Sequence, residues 1–372
     1  MNIGIPKETK LKEFRVSVTP YGVRALAKEY KVFVEKSCGE TVGFFDEDYV
    51  QAGAEICESA EEVYEKSDII VKVNAPLSSE YHLLKKNQIL FASLNLADNK
   101  ELTTELLNKK MTSISYENIQ KEDGTFPLML PMSEIAGKMS VQLATDLLQT
   151  NNSGAGVLLG GVTGVPSGTV LIIGAGTVGF NAARAAFGLG ADVYITDINI
   201  DKLRKIENTV GLNVKTFLLN EPMVEDIIKR TDAVICAIHL QDKKLPIIIT
   251  EQMVKSMKKG SVIIDTTMDK GGVVETMDRI TTIDTPYFEK YGIIHSAVDN
   301  IPNFVSRTST IAVTNALMKY LLKTAEIGII NAIKEDKELA KGVVTFNGAI
   351  TNPDVAETLN KEYTELSGFI GF

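Results

Sequence analysis

Three glycines, Gly174, Gly176 and Gly179, stand in the run GAGTVG between an apolar segment, TVLII, and a helix-patterned one, TVGFNAARAAFG. That spacing suits a phosphate-binding turn. The first glycine permits a tight turn, the second lets backbone amides approach a pyrophosphate, and the third lets the helix pack close to the strand. The helix N-terminus, with Thr177 and Val178 in its first turn, adds partial positive charge for phosphates. Asp197 closes the next apolar run, DVYITD, and Ile198 follows it. A carboxylate there accepts the ribose hydroxyls of NAD and repels a 2′-phosphate; the nearby Lys202 and Arg204 are the features that would suit NADP instead. The plain alternative is a glycine-rich turn with an exposed aspartate, and the strand before it and helix after it argue against that.

Other reactive groups are scarce. The histidines are His82, His239 and His295, so any reaction that needs an imidazole has a short list. The cysteines, Cys38, Cys57 and Cys236, are far apart and offer neither zinc spacing nor a disulfide framework, which fits a reducing cytosol. Lysine and arginine total 39 against 48 acidic residues, a net charge of −9, which disfavours a nucleic-acid partner. No run reaches the ~18 apolar residues of a membrane span, and the start, MNIGIPKETKLKEFR, lacks the apolar core of a signal peptide. The expectation is a cytoplasmic protein without a membrane partner.

The elements that must hold these groups read as α/β. With 372 residues, 44% of them hydrophobic and 23% charged, the chain has the composition of a globular protein of two to three domains. MNIGIP, KVFVEK, DIIVKV, QILFASL and TSISYE read as strands, and Tyr21 to Tyr30 as a helix. The two prolines of GTFPLMLP read as a stop, after which Ser133 caps a helix running to about Leu148. Ile135, Met139, Leu143 and Leu147 share one face of that helix. NNSGAGVLLGGVTGVPSG reads as loop. Beyond the glycine turn, DAVICAI, SVIIDTT and GIIHSAV read as strands. Ser309 to Ile333 reads as one long helix, which at ~1.5 Å per residue has the length to cross between domains.

The ordered series IGIPKE, FRVSVTP, SYE, PLMLPMSEIAG, LLGGVTGV, GAGTVG, DINIDKLR, ITEQMVKSMKKGSVIID, DKGGVVET and AVDNIPNFVSRTSTIAVTNAL resembles the alanine dehydrogenase family nearly end to end. Transhydrogenase subunits and saccharopine and lysine dehydrogenases are more distant relatives. The resemblance implies two Rossmann-like, doubly wound α/β domains with a cleft between them. Residues 1–130 and 306–372 would form the substrate domain, with an NAD domain, residues 131–305, inserted. It also implies a homohexamer, and NAD-dependent conversion of L-alanine and water to pyruvate and ammonia. Such chemistry needs a cation for the carboxylate, a donor to polarise the carbonyl or imine, a proton shuttle, and a carboxylate to orient water or ammonia.

Carried over residue by residue, Arg15 in FRVSVTP matches the family's carboxylate-binding arginine, whose fork suits bidentate capture. Asp269 in MDKGG matches its active-site aspartate. Met132 and Ser133 match positions beside substrate and cofactor. Ile238, His239, Met268, Asp269, Val298 and Asn300 complete the implied cofactor contacts. Two matches fail. The family's K-V-K-E-P is KVNAPL here, so the substrate lysine is Asn74; its L-H-L-A is LNLAD, so the catalytic histidine is Asn95. Asparagine cannot shuttle a proton as imidazole does, and losing a general acid–base typically costs about 10²- to 10⁴-fold.

His239 and Lys270 stand where the family usually has an aliphatic residue and a glutamine. One reading makes them a relocated acid–base pair. The other has His239 lining the cofactor by its backbone and Lys270 facing solvent or Asp269. His82, in a polar stretch, reads as a surface residue, and His295, in a strand, as a structural one. Asp299 stands where the family has a small neutral residue. It would favour an amino-bearing substrate if it faced the cleft, and otherwise is a solvated loop carboxylate. Two functions follow: an NAD-dependent dehydrogenase of a small L-amino acid and its 2-oxo acid, or an NAD-binding, transhydrogenase-like subunit or scaffold without amino-acid turnover, which KVNAPL favours.

Overall fold

The computed structural model describes residues 1–211, 213–238, 245–268 and 271–371. They form two compact units, Met1–Met132 with Val305–Phe372, and Ser133–Phe304.

The first unit begins with strands β1 (Asn2–Ile5), β2 (Lys31–Glu35), β3 (Glu55–Cys57), β4 (Ile69–Asn74), β5 (Ile89–Ser93) and β6 (Thr112–Ser115). These pair in parallel, in the order β3-β2-β1-β4-β5-β6. Both faces of the sheet are covered, which is why β4 and β5 read as nearly unbroken apolar runs rather than alternating ones. Ile69 and Val71 of β4 pack on one face with Ile3, Ile5 and Phe91. Ile70 packs on the other with Leu90, Leu102 and Leu106. The strand order reverses between β1 and β4. In open parallel sheets the crevice beyond the carboxyl ends at such a reversal is where ligands bind.

The second unit contains β7 (Thr169–Ile173), β8 (Asp192–Asp197), β9 (Lys215–Leu218), β10 (Ala233–Cys236), β11 (Val262–Asp265), β12 (Phe288–Lys290) and β13 (Ile293–Ser296). Their order is β12-β13-β11-β10-β7-β8-β9, parallel except for the antiparallel β12. Here the reversal falls between β7 and β10. The chain then returns to the first unit, where β14 (Val343–Phe346) pairs antiparallel with β6 and with β15 (Ala349–Ile350).

Two sequence expectations need correction. The helix expected to open at Ser133 begins at Leu130 and ends at Leu147, so Ser133 lies in its first turn rather than capping it. Pro131 does not stop the helix, because an N–H missing from the first turn removes no intrahelical bond. Leu143 and Leu147 are buried as the periodicity requires, together with Gly137, Ser140, Val141 and Ala144, whereas Ile135 and Met139 are half-buried. The long C-terminal helix runs Ser306–Glu335 but breaks at Gly328, whose φ of 76° and ψ of 156° are not helical. All of it belongs to the first unit rather than passing between units. Leu317, Tyr320 and Leu321 seat it on the sheet core. Among the described residues no helix is long and apolar enough to cross a membrane.

Candidate active site

The carboxyl edge of the first sheet carries a connected set of polar groups. Arg15, on the segment after β1, is 6% exposed. Its Nε donates to Glu13 Oε1 at 2.8 Å and its Nη2 to Glu13 Oε2 at 2.6 Å, a bidentate pair. Its Nη1 lies 3.5 Å from the Met132 sulfur. Asn74, the last residue of β4, donates from Nδ2 to the same Glu13 Oε2 at 2.8 Å. Burial pushes Glu13 upward, but the hydrogen bonds and charge of Arg15, joined by Asn74, outweigh it and hold the carboxyl below its ordinary value. A neutral amide thus occupies the position at Glu13 that the family resemblance assigns to a lysine.

A second carboxylate fixes the backbone beneath. Glu8 Oε1 accepts from Val73 N at 2.6 Å and Oε2 from Asn74 N at 3.3 Å. Burial raises Glu8, and the Lys72 charge and the two amides offset only part of that. Lys72 is fully buried; its Nζ donates to Glu80 Oε1 at 2.6 Å and lies 3.9 Å from Glu8. Glu80 also accepts from Thr9 Oγ1 and Leu77 N.

Asn95 lies just beyond β5 with φ 43°, a left-handed conformation that asparagine tolerates. Asn74 pairs with Ser93 in the β4–β5 register, so Asn74 and Asn95 lie at the carboxyl ends of adjacent strands. The side chain of Asn95 is exposed, but its backbone N–H donates to Glu117 Oε1 at 2.5 Å, and Leu94 N donates to the same atom at 2.9 Å. Glu117 follows β6. Its other oxygen, Oε2, is buried and has no hydrogen-bond partner among the described residues.

The second unit builds the glycine turn. Gly174 has φ 107°, and a Cβ there would lie 2.5 Å from the Ala237 carbonyl oxygen. A Cβ on Gly179 would lie 1.7 Å from the Gly174 carbonyl oxygen, so only glycine lets the helix Thr177–Gly188 start this close to β7. At Gly176 a Cβ would meet open space, beside a helix N-terminus with no side-chain cap. Orphan amides facing open space are what a pyrophosphate requires, so these residues fit a dinucleotide. Asp197 is 7% exposed. It accepts from Ala175 N at 2.7 Å and Asn199 N at 2.8 Å, bracing the turn from the end of β8. Lys202 Nζ stands 3.8 Å from Asp197 Oδ2, and Arg204 pairs with Asp201 at 2.7 Å.

Thr177 and Val178 are half-buried in the first helical turn, as are Ser133, Ile238 and Met268, and Ile198 is exposed. Val298 is buried, Asn300 has φ 58°, and Asp299 is exposed. His239, Asp269 and Lys270 lie outside the described residues. His82 is exposed in the short helix Ser78–Leu83. His295 is buried, with Nε2 2.7 Å from Thr276 Oγ1, Nδ1 2.9 Å from Ile293 O, and its ring stacked on Phe288. Burial lowers its pKa, so a neutral structural ring fits the site.

The pattern of the alanine dehydrogenase/PNT N-terminal domain matches residues 4–136, and that of the C-terminal domain matches residues 140–353. The chain belongs to the alanine dehydrogenase/PNT family. An alanine dehydrogenase of Methanococcus maripaludis is 46% identical over 365 residues, 98% of each chain. A solved L-alanine dehydrogenase is 40% identical with a TM-score of 0.94, over 97% of this chain and 99% of that one. A transhydrogenase from Sinorhizobium meliloti shares the fold, at 22% identity and a TM-score of 0.79, over 95% of this chain and 99% of that one.

Within this alanine dehydrogenase/PNT chain, sequence reading passed over Glu8, Glu13, Lys72, Glu80 and Glu117. Glu8 and Glu117 end the matched segments IGIPKE and SYE, Glu13 directly precedes FRVSVTP, and that placement was the available signal. Glu13 is joined by Asn74 from β4, Glu8 accepts from the amides of Val73 and Asn74, and Glu117 from the amides that follow β5, contacts that spacing along the chain does not reveal.

Proposed function

We propose that this protein is an NAD-dependent oxidoreductase acting on the CH–NH2 group of a small L-amino acid, of the alanine dehydrogenase type. The observation that carries the reading is the retained Arg15, braced by Glu13 along the Nε–Nη2 edge of its fork, in a chain similar over 98% of its length to an alanine dehydrogenase. In this reading residues 1–130 and 306–372 serve the substrate and residues 131–305 the cofactor, the protein works as a cytoplasmic homohexamer, and Asp269 orients water or ammonia.

Bound at the glycine turn, NAD would supply a two-electron hydride acceptor. Gly174, Gly176 and Gly179 would admit its pyrophosphate, and Asp197 its ribose. Arg15 would hold the substrate carboxylate with the N–H groups that Glu13 leaves for it, while Glu13 fixes the plane of the guanidinium. Asn74 supplies a neutral amide where a lysine would add a charge. The substrate carboxylate is therefore held by one cation that already has an anionic partner. This arrangement supports a changed substrate preference within the same reaction class.

The test is NADH formation from NAD across L-amino acids, and NADH loss with 2-oxo acids plus ammonium or other amines. Fluorescence titration should show NADH bound more tightly than NADPH, and Asp197→Ala should weaken NADH binding at least about tenfold. A second reading, an NAD-binding subunit that turns over no amino acid, is favoured by the loss of both the lysine and the histidine at Asn74 and Asn95. NADH binding with no absorbance change across the whole panel would select it.

A further inference from the structure

We infer that Glu117 is the group that takes and returns protons at the substrate site of this chain, an inference that rests on the dehydrogenase reading above. A buried carboxylate oxygen without a hydrogen-bond partner costs free energy, and native structures keep few of them without a use. Among the described residues, Glu117 Oε2 is such an oxygen. The carboxyl group cannot turn freely to satisfy it, because Leu94 N and Asn95 N both donate to Oε1.

Its position points to the reaction. The Asn95 amide that holds Glu117 belongs to the residue standing where the family resemblance puts the catalytic histidine, and asparagine cannot titrate in its place. The other carboxylates described on this edge are committed. Glu13 accepts from Arg15 and Asn74, and Glu8 accepts from two backbone amides beside Lys72. Glu117 keeps one oxygen that can accept a proton, and it lies on the carboxyl edge of the same sheet as Arg15 and Asn74.

The step balances as follows. The substrate Cα–H bond breaks with both electrons passing to NAD, which is reduced, and the amino acid becomes an iminium. Water then bonds to that carbon and gives its proton to Glu117 Oε2. That proton returns to nitrogen as the C–N bond breaks and ammonia leaves. The carbinolamine hydroxyl gives its own proton to the freed Glu117 carboxylate as the C=O bond forms, and from there it passes to solvent. The product is the 2-oxo acid.

Glu117→Gln tests this directly, since glutamine keeps an oxygen for the Leu94 and Asn95 amides and replaces only Oε2. With the amino acid that gives the fastest NADH formation, kcat should fall at least about 100-fold. NADH affinity should be unchanged. Asn95→His, which sets an imidazole beside Glu117, should raise kcat, and its ring should titrate higher by NMR than in Asn95→His/Glu117→Gln. Wild-type turnover with a Glu117→Gln kcat within threefold overturns the role of Glu117 and leaves the dehydrogenase reading standing. If Glu117→Gln does not fold, an unaltered kcat in Asn95→His with an unshifted ring overturns it instead. No turnover by the wild type on any substrate overturns the dehydrogenase reading, and the proton role with it.

Discussion

The Glu13–Arg15 pair gives the sharpest mutational prediction. Arg15 is 6% exposed and the Glu13 side chain 1%. Two short, charge-assisted bonds join them, and Asn74 adds a third to the same carboxylate. Removing one partner of a buried pair leaves the other charged and poorly solvated, at a cost of about 3–5 kcal/mol. Glu13→Gln, which still offers one acceptor, should fall near the lower end, and Arg15→Gln near the upper. With both changed, two amides replace two charges and no ion is stranded. The double variant should therefore lose less than the sum of the singles, with a coupling of at least about 2 kcal/mol. Denaturant melts of the three variants measure this. At about 2–4 °C per kcal/mol, Glu13→Gln alone should lower Tm by roughly 6 °C or more. Because the folded Glu13 titrates below its ordinary value of 4.5, its contribution is complete above that pH and is lost as pH falls through the lowered value. That part of the acid limb should flatten in Glu13→Gln. The KM for the amino acid should rise at least about tenfold in the same variant, with NADH affinity unchanged. Single losses that add to within ~0.5 kcal/mol, with KM unaltered, would refute the idea that Glu13 holds Arg15.

Asn74→Lys should lower KM for a monocarboxylate substrate about tenfold, because it adds a cation beside an arginine already neutralised by Glu13; steady-state kinetics check this. Gly179→Ala should abolish NADH binding and lower stability by roughly 1–3 kcal/mol or more, since its Cβ would lie 1.7 Å from a backbone oxygen that cannot move aside; fluorescence titration and a thermal melt report both. Buried His295 titrates below its ordinary value of 6.5, so the unfolded chain gains a proton first as pH falls below about that value. Stability should drop there by at most about 1.4 kcal/mol per pH unit, and His295→Gln, assayed by urea melts at several pH values, should remove that slope.

The glycine turn and the strands around it were legible because each is local: a tight turn, a close contact and an apolar run are written in consecutive residues. Arg15 was legible only through resemblance. Its brace was not, because Glu13 gains meaning from Asn74, which reaches it from another strand. Ser133 was misread as a cap because Pro131 looked like a stop, when a first-turn proline costs no hydrogen bond. The break at Gly328 was hidden by the apolar residues on either side of it, and only the backbone angles reveal it. Asp197 was read for the ribose alone, yet it also ties down Ala175 in the glycine turn.

The central claim is that this chain oxidises an amino acid with NAD although Asn74 and Asn95 replace a lysine and a histidine. The most direct test is the absorbance of NADH at saturating NAD, followed across a panel of L-amino acids that includes alanine and cationic and N-substituted members. NADH formation with at least one of them, abolished by Arg15→Ala while NADH still binds, is the expected result. NADH bound tightly but never formed from any member, nor consumed with any 2-oxo acid and amine, would contradict it.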